Sequence, residues 1–225
     1  MRRESVILLA VAVLVGLAAQ ARERQSFDKN WRFLLADSVQ MSEEQYNDTW
    51  WRQLDVPHDW AIEGDFYAGH PSGAGGGALP GGVGWYRKHF TLGDCETPMS
   101  ATRFFLEFDG VYMNSTVYVN GQEVGFRPYG YSSFEYDITP YVREGENVVA
   151  VRVDNSDQPN SRWYSGCGIY RHVWLTKTSP VHVKHWGVYA NASVAKGKGK
   201  VNIEVDLEGK GSVENKLIDP NGRIV

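Results

Sequence analysis

A β-hairpin is predicted by Thr116-Val-Tyr-Val-Asn120-Gly121-Gln-Glu-Val-Gly-Phe126. Asn-Gly is the dipeptide most typical of a two-residue hairpin turn, because both central positions of that turn need a positive φ. The residues on either side have the β-branched and aromatic character of strands. Further runs of this kind, bounded by Gly, Pro, Asn and Asp, are Trp85–Phe90, Arg103–Phe108, Phe134–Ile138, Asn147–Asp154 and His172–Thr176.

These runs favour an all-β fold, since almost no long segment has helical periodicity. Phe104, Leu106 and Phe108 alternate along their run and therefore share one face of a strand. The run Asn147–Asp154 is apolar on both faces in its first half, which predicts a central strand. Many short strands joined by hairpin turns predict a jelly-roll β-sandwich over residues 22–179.

A second set of strands is predicted after Pro180. Its members are Val181–Lys184, Val201–Leu207 and Lys216–Ile218, with a turn at Lys196–Lys200. Only three or four strands fit before Val225, whereas a complete sandwich needs about seven. We therefore expect residues 180–225 to be an incomplete second β-sandwich and the sequence to stop inside a domain.

The first 21 residues are predicted to be a secretory signal peptide. Met1-Arg-Arg supplies the positive charge, Val6–Ala19 is an apolar run, and Ala19-Gln20-Ala21 fits the cleavage site. The apolar run is too short for a membrane span, and no cysteine follows it to carry a lipid anchor. We expect a protein that is exported to the periplasm or the extracellular space, with no membrane association after cleavage.

Composition limits the possible partners. The formal net charge is −4, and no run of Lys and Arg is dense enough to follow a phosphate backbone, so nucleic acid is not an expected partner. Cys95 and Cys167 could form a single bridge, but two buried free thiols are the favoured interpretation. Eight tryptophans and twelve tyrosines suit a sandwich core, a carbohydrate-binding surface, or both.

Cofactor and metal sites are not predicted. Gly69–Gly84 is rich in glycine but lacks a phosphate-loop pattern, and it is interpreted as a surface loop that reaches a neighbouring domain's cleft. The histidines lack zinc-site spacing. No pair of carboxylates suggests a catalytic pair, although Glu107, Asp109, Asp154 and Asp157 are candidates in principle.

His58 and Asp59 have two interpretations. They could form an acid/base or hydrogen-bonding pair, or Asp59 could cap a turn while Trp60 packs in the core. The second, structural interpretation is favoured.

The candidate site is the segment Pro159-Asn-Ser-Arg-Trp-Tyr-Ser-Gly-Cys-Gly-Ile-Tyr-Arg171. An aromatic face can stack on the C–H face of a sugar ring while fixed polar groups meet its hydroxyls. Arg162 and Trp163 are the main candidates for substrate binding, and Asn160 and Tyr164 are lesser ones. A structural alternative stays open: Gly166 and Gly168 relieve a turn, the two aromatic residues fill the end of the sandwich, and Arg171 pairs with an acid.

Five motifs in order resemble glycoside hydrolase family 2, the β-galactosidase and β-glucuronidase family. They are Phe27–Phe33, Val56–Trp60, Gly84–Lys88, Val117–Gly121 and Ser161–Arg171. The resemblance spans Phe27 to about Ser179 and is to the family's N-terminal, galactose-binding-like sugar-binding domain. Residues 180–225 resemble the opening of its immunoglobulin-like second domain.

The resemblance implies a retaining exo-glycosidase whose two catalytic glutamates lie in a (β/α)₈ barrel that this sequence lacks. A β-galactosidase is the leading expectation, because Arg162 resembles a branch of the family that is often β-galactosidase-like. The implied partners are a carbohydrate substrate and that barrel, no cofactor or metal is implied, and the chain alone is expected to be inactive. The segment around Arg162 matches a loop that walls the barrel's pocket. Well-known members have an aspartate where this chain has Arg162, so the resemblance does not fix the sugar.

Two non-catalytic alternatives remain. The sandwich could be a stand-alone carbohydrate-binding module or lectin that binds glycans through exposed aromatic residues. It could also be a structural domain of a surface assembly. Saturable sugar binding by residues 22–179 that is lost on Arg162→Ala would favour the first.

Overall fold

The computed structural model of the chain describes residues 22–93 and 98–224. The predicted signal peptide lies outside these residues. The strands are β1 (Glu23–Ser26), β2 (Trp31–Leu35), β3 (Arg52–Leu54), β4 (Gly82–Leu92), β5 (Arg103–Phe108), β6 (Ser115–Val119), β7 (Gln122–Arg127), β8 (Phe134–Asp137), β9 (Gly145–Asn155), β10 (Val173–Thr178), β11 (His182–Ala195) and β12 (Lys198–Glu208). Helical structure consists of short 3₁₀ turns at Val39–Ser42, Ala61–Glu63, Ala74–Gly76 and Met99–Ala101. None of the described residues forms a helix with the length and hydrophobicity needed to span a bilayer.

The larger of two compact units, Glu23–Lys177, contains two antiparallel sheets. One has the strand order β1-β10-β5-β8, and the other has the order β3-β2-β4-β9-β6-β7. Alternate residues of both sheets pack into a shared core, including Phe104, Leu106 and Phe108 from β5 and Val151 from β9. Burial of these side chains is the main driving force for stacking the sheets. The all-β sandwich prediction is confirmed.

The predicted hairpin forms between β6 and β7, and its turn residues Asn120 and Gly121 have φ values of 49° and 79°. The strand predicted to be central is β9, which lies between β4 and β6. Its two apolar faces have separate partners. Val151 faces the shared core, whereas Ala150 packs on the other side of the sheet in a smaller cluster with Met41, Trp51 and Trp85.

The second unit carries β11 and β12, which pair antiparallel around a turn at Lys196 and Gly197. Of the three predicted strands, Val201–Leu207 lies within β12, and Val181–Lys184 overlaps the start of β11, which begins at His182. The prediction of a strand at Lys216–Ile218 is wrong: this segment is exposed, and only an isolated bridge joins Ile218 to Ile224. A short apolar run cannot form a strand without a neighbour to complete its hydrogen bonds. The jelly-roll connectivity, the immunoglobulin-like assignment and the domain bounds stay predictions.

Candidate functional site

The segment that follows β9 forms one side of a shallow depression in the larger unit. Of the predicted site residues, Asn160, Trp163 and Tyr164 line this depression, and Arg162 does not. The other lining residues are Ser72, Gly76, Leu79, Pro80, Asn155, Gln158, Ser165 and Cys167. The enclosed space is on the order of one water molecule. None of these lining residues is a carboxylate or a histidine, so they do not form a metal-binding cluster.

Asn155, the last residue of β9, shapes the segment. Its side chain is only 3% exposed, and Nδ2 donates to the carbonyl oxygen of Gly166 at 3.0 Å and to Sγ of Cys167 at 2.8 Å. Its Oδ1 accepts hydrogen bonds from Nε2 of Gln158, at 3.0 Å, and from Nδ2 of Asn160. One buried amide therefore connects both ends of the loop. Sequence reasoning missed Asn155, since an Asp-Asn pair at the end of a strand is typical of ordinary turn chemistry.

A hydrogen bond connects Tyr164 to the loop that follows β3. Its hydroxyl donates a hydrogen bond to Oδ2 of Asp59, and Oδ1 of Asp59 accepts from the backbone N–H of Ala61 at 3.0 Å. Partial burial, followed by the bond to Asp59, raises the pKa of Tyr164 far above its usual range. Trp60 is buried in the core. The structural interpretation of this motif is confirmed, because Asp59 caps a turn and Trp60 packs.

His58 has partners of its own. Its Nδ1 lies 2.7 Å from the hydroxyl oxygen of Tyr86, and its Nε2 lies 3.3 Å from Oε2 of Glu63. Burial lowers the pKa of His58, although the carboxylate of Glu63 opposes this shift. Arg52 donates two hydrogen bonds to Glu63, at 2.6 and 2.9 Å, and lowers the pKa of Glu63 to about 2.

Trp163 and Arg162 are both exposed. The Trp163 side chain is 67% exposed, so the alternative that it fills the end of the sandwich is wrong. Tyr164, in contrast, is half-buried and does pack against the core. The Arg162 side chain has no hydrogen-bond or ion-pair partner among residues 22–93 and 98–224. The guanidinium of Arg171 lies 5.2 Å from the ring centroid of Tyr170 and pairs with no acid in the same ranges, so that part of the alternative is also wrong.

Gly166 and Gly168 give the segment its turn, and this part of the structural alternative is confirmed. Their φ values are 116° and 98°, a region that residues with a side chain rarely adopt. A Cβ on Gly168 would also lie 2.2 Å from the hydroxyl oxygen of Tyr86. Between the glycines, Cys167 is a buried free thiol, as predicted, and burial raises its pKa to about 12. Cys95 lies outside the described residues.

Comparisons with known proteins agree with this fold, and the region that matches a known family includes the candidate segment. Residues 76–179 match the family profile "Glycosyl hydrolases family 2, sugar binding domain". The chain is 54% identical to Beta-galactosidase BoGH2A of Bacteroides ovatus over 91% of this chain and 25% of that protein. It is 30% identical to a Beta-glucuronidase of Bacteroides fragilis over 97% of this chain and 31% of that protein.

A solved structure is similar in fold. The crystal structure of a beta-glycosidase from Bacteroides vulgatus matches with a TM-score of 0.82 and 37% identity, covering 90% of this chain and 27% of that one. The chain thus spans about a quarter of the length of these relatives. The five motifs occur in the family's order, the fold is a two-sheet sandwich, and the sequence is similar to these relatives. The chain therefore belongs to glycoside hydrolase family 2.

Proposed function

We propose that the chain is the N-terminal part of an exported β-galactosidase of glycoside hydrolase family 2. The observation that carries this proposal is the 54% identity, along almost the whole chain, to a protein named β-galactosidase. The β-glucuronidases among the relatives are less similar, at 41% identity for a Putative beta-glucuronidase of Formosa agariphila and 30% for the Bacteroides fragilis protein. Export is supported by the signal-peptide pattern of residues 1–21.

The proposed role of this part is to shape the sugar pocket. Exposed Trp163 offers an aromatic face beside a depression lined by polar groups of Asn160 and Tyr164, which is the combination that sugar rings bind. Arg162, which precedes Trp163 in the chain, is exposed and has five donors unused by the described residues. These residues orient a glycoside, and they leave bond cleavage to groups elsewhere.

Cleavage needs two carboxyl groups. In a retaining glycosidase one attacks the anomeric carbon, and the second protonates the leaving oxygen and then activates water. Both are proposed to belong to a (β/α)₈ barrel outside this chain. The 225 residues alone are therefore expected to leave an aryl β-galactoside intact.

A stand-alone carbohydrate-binding module is the second candidate. The observation that favours it is the exposure of Trp163 in the chain by itself, since an exposed aromatic ring can bind sugars without a barrel.

Intact mass spectrometry of the native secreted polypeptide, followed by an assay of the same sample, tests the proposal. A species several times heavier than 25.3 kDa that hydrolyses 4-nitrophenyl β-D-galactoside is the expected result. A species near that mass without its first 21 residues, or a heavier one that leaves aryl β-galactosides intact, would overturn it. Saturable sugar binding by the short species would support the binding module instead.

A further inference from the structure

The sequence contains two Asn-Gly dipeptides, Asn120-Gly121 and Asn221-Gly222. Spontaneous deamidation is easiest in this dipeptide, because a glycine has no side chain to hinder the approach of its backbone nitrogen to the preceding side-chain amide. The reaction also needs an asparagine side chain that can rotate and a backbone that can bend toward it. The two sites differ in both respects.

Asn120 is held in place by the sheet around it. The residue is buried, and its Nδ2 donates to the carbonyl oxygen of Tyr141 at 2.9 Å and to Oδ1 of Asn147 at 2.8 Å. Its Oδ1 accepts a hydrogen bond from the backbone N–H of Val148 at 2.8 Å. The side-chain amide of Asn120 can turn toward Gly121 only after these three bonds break.

The side chain of Asn221 has no such restraint. It is exposed and makes no hydrogen bond with any other part of the chain that the structure describes, residues 22–93 and 98–224. Asn221 lies in a β-turn in which the backbone N–H of Gly222 donates to the carbonyl oxygen of Asp219 at 2.9 Å. The backbone N–H groups of Asn221 and Arg223 both donate to Oδ1 of Asp219, at 2.8 and 2.9 Å. Asp219 therefore accepts the hydrogen bonds that hold this turn.

Burial adds little support to the turn. An isolated bridge between Ile218 and Ile224 closes it, and both of these side chains are exposed. Segments with exposed backbone hydrogen bonds and few buried apolar contacts open locally at a small cost in free energy. The N–H of Gly222 is therefore released from Asp219 much more readily than the hairpin at Asn120 opens.

We propose that Asn221 is a deamidation site in the folded chain and that opening of the turn at Asp219–Arg223 controls the rate of the reaction. In the open turn the backbone nitrogen of Gly222 loses its proton and attacks Cγ of Asn221. A C–N bond forms, the side-chain nitrogen takes up a proton and leaves as ammonia, and a succinimide ring remains. Water then opens the ring at either carbonyl group, which leaves aspartate or isoaspartate at position 221. This inference does not depend on the proposed function.

Either product alters the turn. The new carboxylate lies close in sequence to that of Asp219, and like charges repel. Isoaspartate also inserts Cβ into the main chain, which changes the spacing between the backbone groups of Asp219 and Arg223 that pair across the turn. The modification therefore weakens the structure that limits its rate.

Peptide mass spectrometry of the chain tests the inference. Folded and urea-unfolded samples are kept in the same mildly alkaline buffer until both Asn-Gly sites of the unfolded sample have reacted. We expect similar rates at the two sites in urea. In the folded chain we expect Asn221 to react at least about a hundredfold faster than Asn120, since each of the three hydrogen bonds at Asn120 contributes about a factor of five. Similar rates at the two sites of the folded chain, or a folded chain in which Asn221 stays unmodified, would overturn the proposal.

Two alanine variants separate the turn from net charge. Asp219→Ala removes the side chain that accepts two hydrogen bonds in the turn, whereas Asp157→Ala removes the same charge from an exposed residue outside it. We expect deamidation at Asn221 to be at least about fivefold faster in Asp219→Ala and unchanged in Asp157→Ala. Equal rates in the two variants would contradict control of the reaction by the turn.

Discussion

The phenol of Tyr164 donates a hydrogen bond to the carboxylate of Asp59, a residue 105 positions earlier in the chain. The other oxygen of that carboxylate caps the turn at Ala61. The candidate site is therefore tied to the loop after β3 by a charge-assisted bond, a class of hydrogen bond stronger than one between neutral groups.

Removing either partner of this bond should destabilise the sandwich, and the effects of the two substitutions should not be additive. In a double-mutant cycle of Tyr164→Phe and Asp59→Ala, we expect a coupling energy of about 1.5 kcal/mol or more, because one partner is charged. Urea unfolding of the four proteins measures it. Tyr131→Phe is the matched control, since it removes a phenol that donates to the neutral carbonyl of Ser165 at 3.0 Å, and it should cost about 1 kcal/mol or less. Additive effects at Tyr164 and Asp59 would contradict the prediction.

The two glycines of the site loop should differ sharply in their tolerance of alanine. Gly166→Ala meets ordinary contacts, the nearest at 3.5 Å from Cβ of Tyr112, so its cost is the positive φ alone, about 1–2 kcal/mol. Gly168→Ala adds a collision with Tyr86 and an approach of 2.9 Å to the carbonyl oxygen of His58, and should cost about 3 kcal/mol or more. Urea midpoints compare the variants, and similar losses would show that sterics at Gly168 do not dominate.

Acid should weaken the fold in two steps at His58 and Glu63. The folded-state pKa of His58 lies below the unfolded value of 6.5, so the unfolded chain takes up the proton first, and stability falls as the pH drops below about 6.5. The folded-state pKa of Glu63 is depressed from 4.5 to about 2, so its stabilisation is complete above 4.5 and is lost between these values.

Glu63→Gln tests both steps. The substitution should abolish the fall in the free energy of unfolding that protonation of Glu63 causes between pH 4.5 and 2. It should also enlarge the loss that begins near pH 6.5, because the protonated imidazole of His58 loses its nearby negative charge. The measurement is the free energy of unfolding in urea across this pH range at constant ionic strength. Parallel curves for the variant and the wild type would exclude the His58–Glu63 pair as the cause.

Cys167 should be unreactive in the folded chain. Its thiol is buried and its pKa is raised to about 12, so almost no thiolate is present at pH 8. In a Cys95→Ser background, we expect Ellman's reagent to leave the native chain unmodified and to react with Cys167 once urea unfolds it. Rapid reaction without urea would mean that the segment around Cys167 opens readily.

Local patterns account for the parts of the fold that could be predicted. Asn120-Gly121 specifies its own hairpin, and the apolarity of β9 on both faces indicated a strand with neighbours on each side. The bond between Tyr164 and Asp59 could not be predicted, since the packing of the whole sandwich brings these residues together. Sequence also does not distinguish an aromatic residue that fills a core from one that faces water, and Trp163 is the second kind.

Because Asn155 is the last residue of β9 and holds Gly166, Gln158 and Asn160 with one side chain, the loop is not a detachable part. A transplant of residues 156–171 alone into a recipient scaffold would leave its anchor behind. The smallest transferable piece includes the end of β9 and also Gly81, where a Cβ would lie 2.5 Å from the carbonyl oxygen of Asn155. Substitutions meant to change the specificity of this candidate site would therefore also affect the end of a strand in the sheet.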